Sequence, residues 1–375
     1  MRKIKVLQFT VTANKGGRTL YVLNNWKYID KTKFQFDFVT FSPKLDFEQQ
    51  LIDEGCNVYH MSCYPEENKE QFIKEFDAIL DRHYDVIHIH TGFWKDTIVE
   101  QRAMLKGVRK VIIHSHNMGY GKWLKEPDEE TLKGHFEIQA RLSEDMATDF
   151  WACSTGAAKW LYGDRIKSDQ IKIMKYAIDT KRFSYDPSIR AQARKELGME
   201  DSFVVGHVGR FAYQKNHKFL VEVYNEVQKK CSNAVLLLIG RGELRDDIEK
   251  QVKNLGLSEK VHFIDFQNDV SKYFQAMDVF VFPSFFEGFG IVLIEAQTAG
   301  LPCLCSDRIP EEAFMTEYIQ QLSLDNEDVW VNKILELRQG YERKDGSKLI
   351  SDIGRDLPQQ VKDLEKEYMR SVDWQ

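Results

Sequence analysis

Two glutamates, Glu287 and Glu295, stand with seven residues between them in the stretch DVFVFPSFFEGFGIVLIEAQTAGLPCLCS, residues 278–306. Between them lies the turn Gly288-Phe289-Gly290, followed by Ile291 at the start of a helix-like segment. Glycines at such a turn let the backbone approach a ligand closely, and the first amides of a helix attract an anion. The two carboxylates can border one ligand without sharing a proton. A second group of polar residues follows an apolar run ending at Val208: Gly209-Arg210, then Gln214-Lys215-Asn216. Two cations and a helix N-terminus suit a diphosphate, because charge-assisted bonds to phosphate oxygens are among the strong ones. Each feature alone also fits an ordinary solvated loop; the combination favours the anion site.

Gly16-Gly17 follow the first apolar run, but they do not form GxGxxG, so a dinucleotide fingerprint is absent. Histidines form two HxH pairs, His88/His90 and His114/His116, each at the end of a strand-like run. Residues i and i+2 of a strand share a face, so the same spacing admits a four-histidine metal site. No carboxylate lies suitably beside it, and no metal is expected. The favoured reading has His88 and His114 partly buried and hydrogen-bonded, with His116 and Asn117 reaching toward a ligand. Lys122, Trp123, Leu124 and Lys125 make a basic, aromatic patch suited to an anionic membrane surface or a lipid-linked substrate; a solvated helix start reads equally well.

These residues need rigid elements to hold them. Short β-branched and aromatic runs alternate with amphipathic stretches along nearly all of the 375 residues, the pattern of doubly wound parallel sheets. The length exceeds one typical core. The pattern pauses in the polar stretch 179–188 and then restarts, which predicts two Rossmann-like domains, 1–185 and 186–356, facing across a cleft. A final amphipathic helix, about 357–375, is expected to pack back onto the first domain. Ligands of such folds bind at the carboxyl ends of the strands.

A net charge of −6 gives no sign of a nucleic-acid binder. Six cysteines without metal-type spacing read as reduced thiols of a cytoplasmic protein. The opening MRKIKVLQFTV reads as a first strand rather than a signal peptide, and no apolar run reaches the ~18 residues of a spanning helix.

The segment FQNDVSKYFQAMDVFVFPSFFEGFGIVLIEAQTAGLPCLCSD resembles the E-x7-E region of glycosyltransferase family 4, of two-domain GT-B architecture, and GRFAYQKNH resembles its phosphate-binding loop. NKGGRTLYVLN, IIHSHN, ACSTGAAKWLYG and AIDTKRFSYDP extend the resemblance over the whole chain, toward bacterial capsular and exopolysaccharide enzymes. The resemblance implies metal-independent, retaining transfer of a hexose from a nucleotide sugar, most simply a UDP-sugar, to a glycan or lipid-linked acceptor at the inner face of the membrane, with no cofactor. Carried over, Glu287 holds donor-sugar hydroxyls and Glu295 the ribose. Gly288, Phe289, Gly290 and Ile291 support sugar and phosphate, with Asn268 and Gly209 beside the nucleotide. Arg210 and Lys215 stabilise the leaving diphosphate, Gly16 and Gly17 admit phosphate and acceptor, and His116 touches the donor sugar. The chain departs from the family where Arg18-Thr19 follow the glycine pair in place of Ala-Glu, and where Tyr176 stands in place of an Asn. A nucleotide-sugar epimerase and a non-catalytic sugar-nucleotide-binding subunit are the competing readings.

Overall fold

A computed structural model describes residues 2–13, 16–117 and 129–370. The patch at Lys122, Trp123 and Lys125 lies outside these residues. The chain forms two compact units, one of 1–121, 125–176 and 357–375 and the other built mainly from 177–356.

In the first unit, seven strands form one sheet: β1 (Ile4–Phe9), β2 (Phe34–Thr40), β3 (Val58–His60), β4 (Val86–Thr91), β5 (Lys110–Ser115), β6 (Asp149–Ala152) and β7 (Ile171–Ile173). Their order is β3-β2-β1-β4-β5-β6-β7, and all pairings are parallel. Central strands such as VIHIH and KVIIHS are buried on both faces, which is why they read as continuous apolar runs interrupted only by histidine. The helix Leu357–Met369 belongs to this unit. Its Gln360 donates to Asn25 Oδ1 at 2.8 Å, its Glu365 accepts from the Asp30 amide at 2.8 Å, and its Tyr368 is fully buried.

In the second unit, six strands form a parallel sheet: β8 (Phe203–Val208), β9 (Ala234–Ile239), β10 (Val261–Ile264), β11 (Val279–Phe282), β12 (Cys303–Ser306) and β13 (Ile319–Leu322). The order is β10-β9-β8-β11-β12-β13. The order reverses between β8 and β11, the strands that carry the two polar loops singled out above, so both loops leave the sheet at its switch point, where ligands of doubly wound folds bind. The units divide at Tyr176–Ala177, ahead of the expected position near residue 185. The reason is local: Ile178 bridges to Asp356, and the Thr180 hydroxyl donates to the Asp356 carboxylate at 2.7 Å, tying residues 178–183 into the second unit.

Gly240 ends β9 with φ +148°, and a Cβ there would stand 2.1 Å from the carbonyl oxygen of Gly209. A side chain at 240 would collide with the backbone of the Gly209-Arg210 loop. Gly240→Ala is therefore expected to cost more than ~2 kcal/mol, combining strain at positive φ with a displaced loop. Urea unfolding checks it; an unchanged midpoint would mean that the loop yields freely.

Candidate active site

The polar loop after β8 turns through Gly209 and Arg210 into a short 3-10 segment, Tyr213–Lys215, and then into the helix His217–Lys230. Gly209 lacks a side chain for a packing reason: a Cβ would sit 2.8 Å from His207 Nε2, whose ring is fixed because its other nitrogen lies 2.8 Å from the Val281 carbonyl. Burial lowers the His207 pKa to about 4, so the ring is neutral and Nδ1 is the donor.

The loop after β11 carries Phe285 to Gly290 and leads into the helix Ile291–Thr298. Gly290 is its N-cap, at φ +87° in the left-handed region that glycine enters without strain. The two loops are stitched together. The Phe285 amide donates to the Gln214 carbonyl at 2.8 Å, Gln214 Nε2 donates to the Phe286 carbonyl at 2.9 Å, and the Tyr213 and Phe285 rings stack at 4.8 Å.

The same stitching brings Lys215 Nζ to 2.6 Å from Glu287 Oε1, with the ammonium also 4.7 Å above the Phe282 ring. Both side chains are largely withdrawn from water, at 15% and 8% exposure. Two residues assigned to different parts of a ligand thus neutralise each other when no ligand is present. Arg210 is exposed at the mouth of the loop.

Gly288, Phe289 and Gly290 are buried and Ile291 half-buried at the helix start. The Arg355 guanidinium lies 4.9 Å from the centre of the Phe289 ring, a neighbour that its position in the sequence does not reveal. Glu295 is half-buried on the same helix, and desolvation raises its pKa to about 7 against the pull of the Arg182 charge, with Asp269 adding to the rise. Asn268 is exposed, and its carbonyl accepts from Arg182 at 3.2 Å. Arg182, Asp269 and Glu295 are therefore neighbours, a grouping that requires the fold.

In the first unit, Gly16 caps the helix Gly17–Tyr28 at an ordinary φ of −70°, and a Cβ on it would meet nothing within 4 Å. Among the described residues, neither conformation nor packing demands glycine there. His116 is half-buried. Its Nε2 is 2.8 Å from His90 Nδ1, and its Nδ1 is hydrogen-bonded to the Tyr176 hydroxyl. Burial holds the His116 pKa well below the ordinary range, with the neighbouring His114 and Arg18 adding to the effect, so the ring is neutral.

His88, His90 and His114 bring ring nitrogens within 4.8 Å of one another, close enough to hold a metal ion. Their hydrogen bonds describe a different use. His88 Nδ1 meets Tyr368, His88 Nε2 meets His114 Nδ1, His90 Nδ1 meets His116, and His90 Nε2 meets Gln8, which engages five of the six nitrogens. All three rings are buried rather than partly buried, and their pKa values fall through desolvation, that of His114 to about 3. Gln8, Tyr21 and Tyr368, which complete this cluster, carried no signal of their own in the sequence.

Residues 189–345 match the model of the family described as glycosyl transferases group 1. The chain is 28% identical over 313 residues, 82% of its length and 80% of the relative's, to EpsF of Bacillus subtilis, provisionally named a glycosyltransferase. It is 26% identical over 245 residues, 64% of its length and 62% of the relative's, to an Escherichia coli UDP-Gal:alpha-D-GlcNAc-diphosphoundecaprenol alpha-1,3-galactosyltransferase. Among solved structures, Anabaena HepE in complex with UDP and glucose shares the fold with a TM-score of 0.77 at 16% identity, over 98% of this chain and all of that one.

Proposed function

From the match of residues 189–345 to the group 1 glycosyltransferase model and the GT-B fold of the two units, we propose that the chain moves a hexose with retention of configuration from a UDP-sugar to a lipid-linked or glycan acceptor. The observation that carries this is the joining of the two loops at the β8/β11 switch point, which sets Lys215 against Glu287 just ahead of the helix that Gly290 caps; in this reading these groups, with Arg210, receive the diphosphate. The donor nucleotide and the lipid diphosphate in the name of the Escherichia coli relative, and the UDP held by HepE, support the choice of donor and acceptor.

In this reading the bond between the sugar C1 and the β-phosphate oxygen breaks while C1 bonds to the acceptor oxygen on the same face. The acceptor proton passes to the departing diphosphate. Negative charge grows on that diphosphate in the transition state, where Arg210, Lys215 and the amides at 288–291 oppose it, the role a metal ion plays elsewhere. Glu287, released from Lys215, accepts sugar hydroxyls. Glu295 accepts the ribose hydroxyls, with Gly209 and Asn268 alongside the nucleotide. Gly16 and Gly17 admit phosphate or acceptor, and His116 takes a hydroxyl of the sugar. The reaction needs no cofactor.

No helix among the described residues is long and apolar enough to cross a membrane. We place the protein in the cytoplasm, meeting its acceptor at the inner membrane face during capsular or exopolysaccharide synthesis. Incubation with UDP-sugars and an undecaprenyl-diphosphate-linked sugar, followed by product analysis, tests the reaction. A lengthened glycan with the donor's anomeric configuration is expected. An isomerised donor would make the chain an epimerase, and an unaltered donor with nucleotide bound would make it a binding subunit.

A further inference from the structure

The histidine cluster of the first unit is one unbranched chain of hydrogen bonds. It runs from the Tyr176 hydroxyl to His116 Nδ1, from His116 Nε2 to His90 Nδ1 (2.8 Å) and from His90 Nε2 to Gln8 Oε1 (2.8 Å). It continues from Gln8 Nε2 to the Tyr368 hydroxyl (3.3 Å), on to His88 Nδ1 (2.7 Å), and from His88 Nε2 to His114 Nδ1 (3.0 Å). His114 Nε2, at the far end, is buried without a hydrogen-bond partner among the described residues.

A neutral imidazole has one donor and one acceptor nitrogen. Every histidine here is neutral, so a donor at one joint dictates the donor at the next. The chain has only two self-consistent states, with all its protons pointing one way or all the other. The Gln8 carboxamide selects between them, because its oxygen can only accept and its NH2 can only donate. With the oxygen on His90 and the nitrogen on Tyr368, His90, His116, His88 and His114 are all protonated on Nε2. The end of the chain agrees. It leaves an N–H at His114, whose ring has the Tyr21 ring 5.2 Å away at 89° and the Trp151 ring 5.9 Å away at 76°. An aromatic face is a weak acceptor for an N–H and offers nothing to a bare lone pair.

We propose that Gln8, acting through His90, is a positioning residue that fixes His116 as the Nε2–H tautomer and makes its Nδ1 a hydrogen-bond acceptor for a substrate hydroxyl, whose place the Tyr176 hydroxyl holds. This rests on the assignment of His116 to the sugar and adds what that assignment leaves open: the ligand group is a donor hydroxyl, and its acceptor is set by a residue on β1 and a tyrosine on the final helix. Tyr176, stacked on Tyr21 at 4.8 Å, must turn its hydroxyl away for the sugar to bind.

Long-range proton–nitrogen correlation on the full chain, with 15N-labelled histidine and near neutral pH, reads the tautomers without any substrate. His90 and His116 are expected in the neutral Nε2–H form; the Nδ1–H form or an imidazolium at either overturns the inference. Gln8→Met should leave both rings as tautomer mixtures and lower kcat/KM at least about tenfold, by loosening an acceptor in the acid–base class, while the thermal shift given by UDP stays as in wild type. Tyr368→Phe keeps the packing, frees the Gln8 amide and should blur the His90 tautomer in the same way, which covers a Gln8 variant that does not fold. Single, unchanged tautomers in both variants overturn the inference. A wild-type chain that transfers no sugar would count against the transferase reading, and the tautomer spectra would still decide this one.

Discussion

Lys215→Ala is expected to lower kcat/KM by about a hundredfold to a thousandfold, the scale of losing one preorganised group that stabilises charge in the transition state. The ammonium lies 2.6 Å from Glu287 and over the Phe282 ring, with little exposure to water, so its charge acts at low local dielectric on whatever anion enters. The same substitution leaves the Glu287 carboxylate buried and unpaired, which costs about 3–5 kcal/mol of stability. The two effects separate in the double variant Lys215→Ala/Glu287→Gln, where removing the orphaned charge restores much of the melting temperature and none of the turnover. Arg210→Ala, at an exposed position, should lose more than ~2 kcal/mol of transition-state stabilisation with little change in stability. Near-normal turnover in both single variants would mean that the diphosphate does not bind between these loops.

Nucleotide affinity should rise with pH through about 7 and the rise should depend on Glu295. Desolvation holds this carboxyl protonated to about pH 7, whereas ribose hydroxyls are donors and favour the ionised form. Binding therefore expels a proton on the acid side of pH 7, and affinity should climb by close to tenfold per pH unit there before flattening above it. The sign for folding is opposite. A carboxyl whose folded pKa lies above its unfolded value stabilises the protein while protonated, and that contribution is lost as pH rises from about 4.5 to about 7. A nucleoside diphosphate titrates in the same region, so the quantity to compare is the slope for wild type against Glu295→Gln in calorimetric titrations. Identical slopes would remove Glu295 from the ribose.

The elements were legible because their signals are local. Phe203–Val208 and Ala234–Ile239 are apolar runs buried on both faces, and the first ends in the structure at Val208, as read from the sequence. The Gly288-Phe289-Gly290 turn and the cations of the Gly209 loop were likewise visible as residue types next to strand ends. The pairings that define the site were not. Lys215 and Glu287 are 72 positions apart, and that they neutralise each other depends on which strands lie side by side and on the length of the two loops.

The histidines show the limit more sharply. Each HxH pair says that two rings share a face, but the chain of hydrogen bonds needs the parallel register of β4 on β5. That register sets His90 beside His114 while the bonds join His88 to His114 and His90 to His116. It needs also Gln8 from the first strand and Tyr368, 360 positions later. Nothing in a local window connects those two residues. The division of the units ahead of residue 185 has a similar origin: the contact that pulls residues 178–183 into the second unit comes from Asp356.

The most direct test of the account is a thermal-shift panel of UDP, GDP, ADP and TDP on wild type and Glu295→Ala, which needs neither donor sugar nor acceptor. A nucleotide at a hundred times its dissociation constant stabilises the folded chain by roughly 2.7 kcal/mol, enough to raise the melting temperature by several degrees if unfolding is close to two-state. The account predicts a clear shift with UDP, smaller shifts with the other three, and loss of the UDP shift in Glu295→Ala. No shift with any nucleotide, or a UDP shift of equal size in the variant, would contradict it.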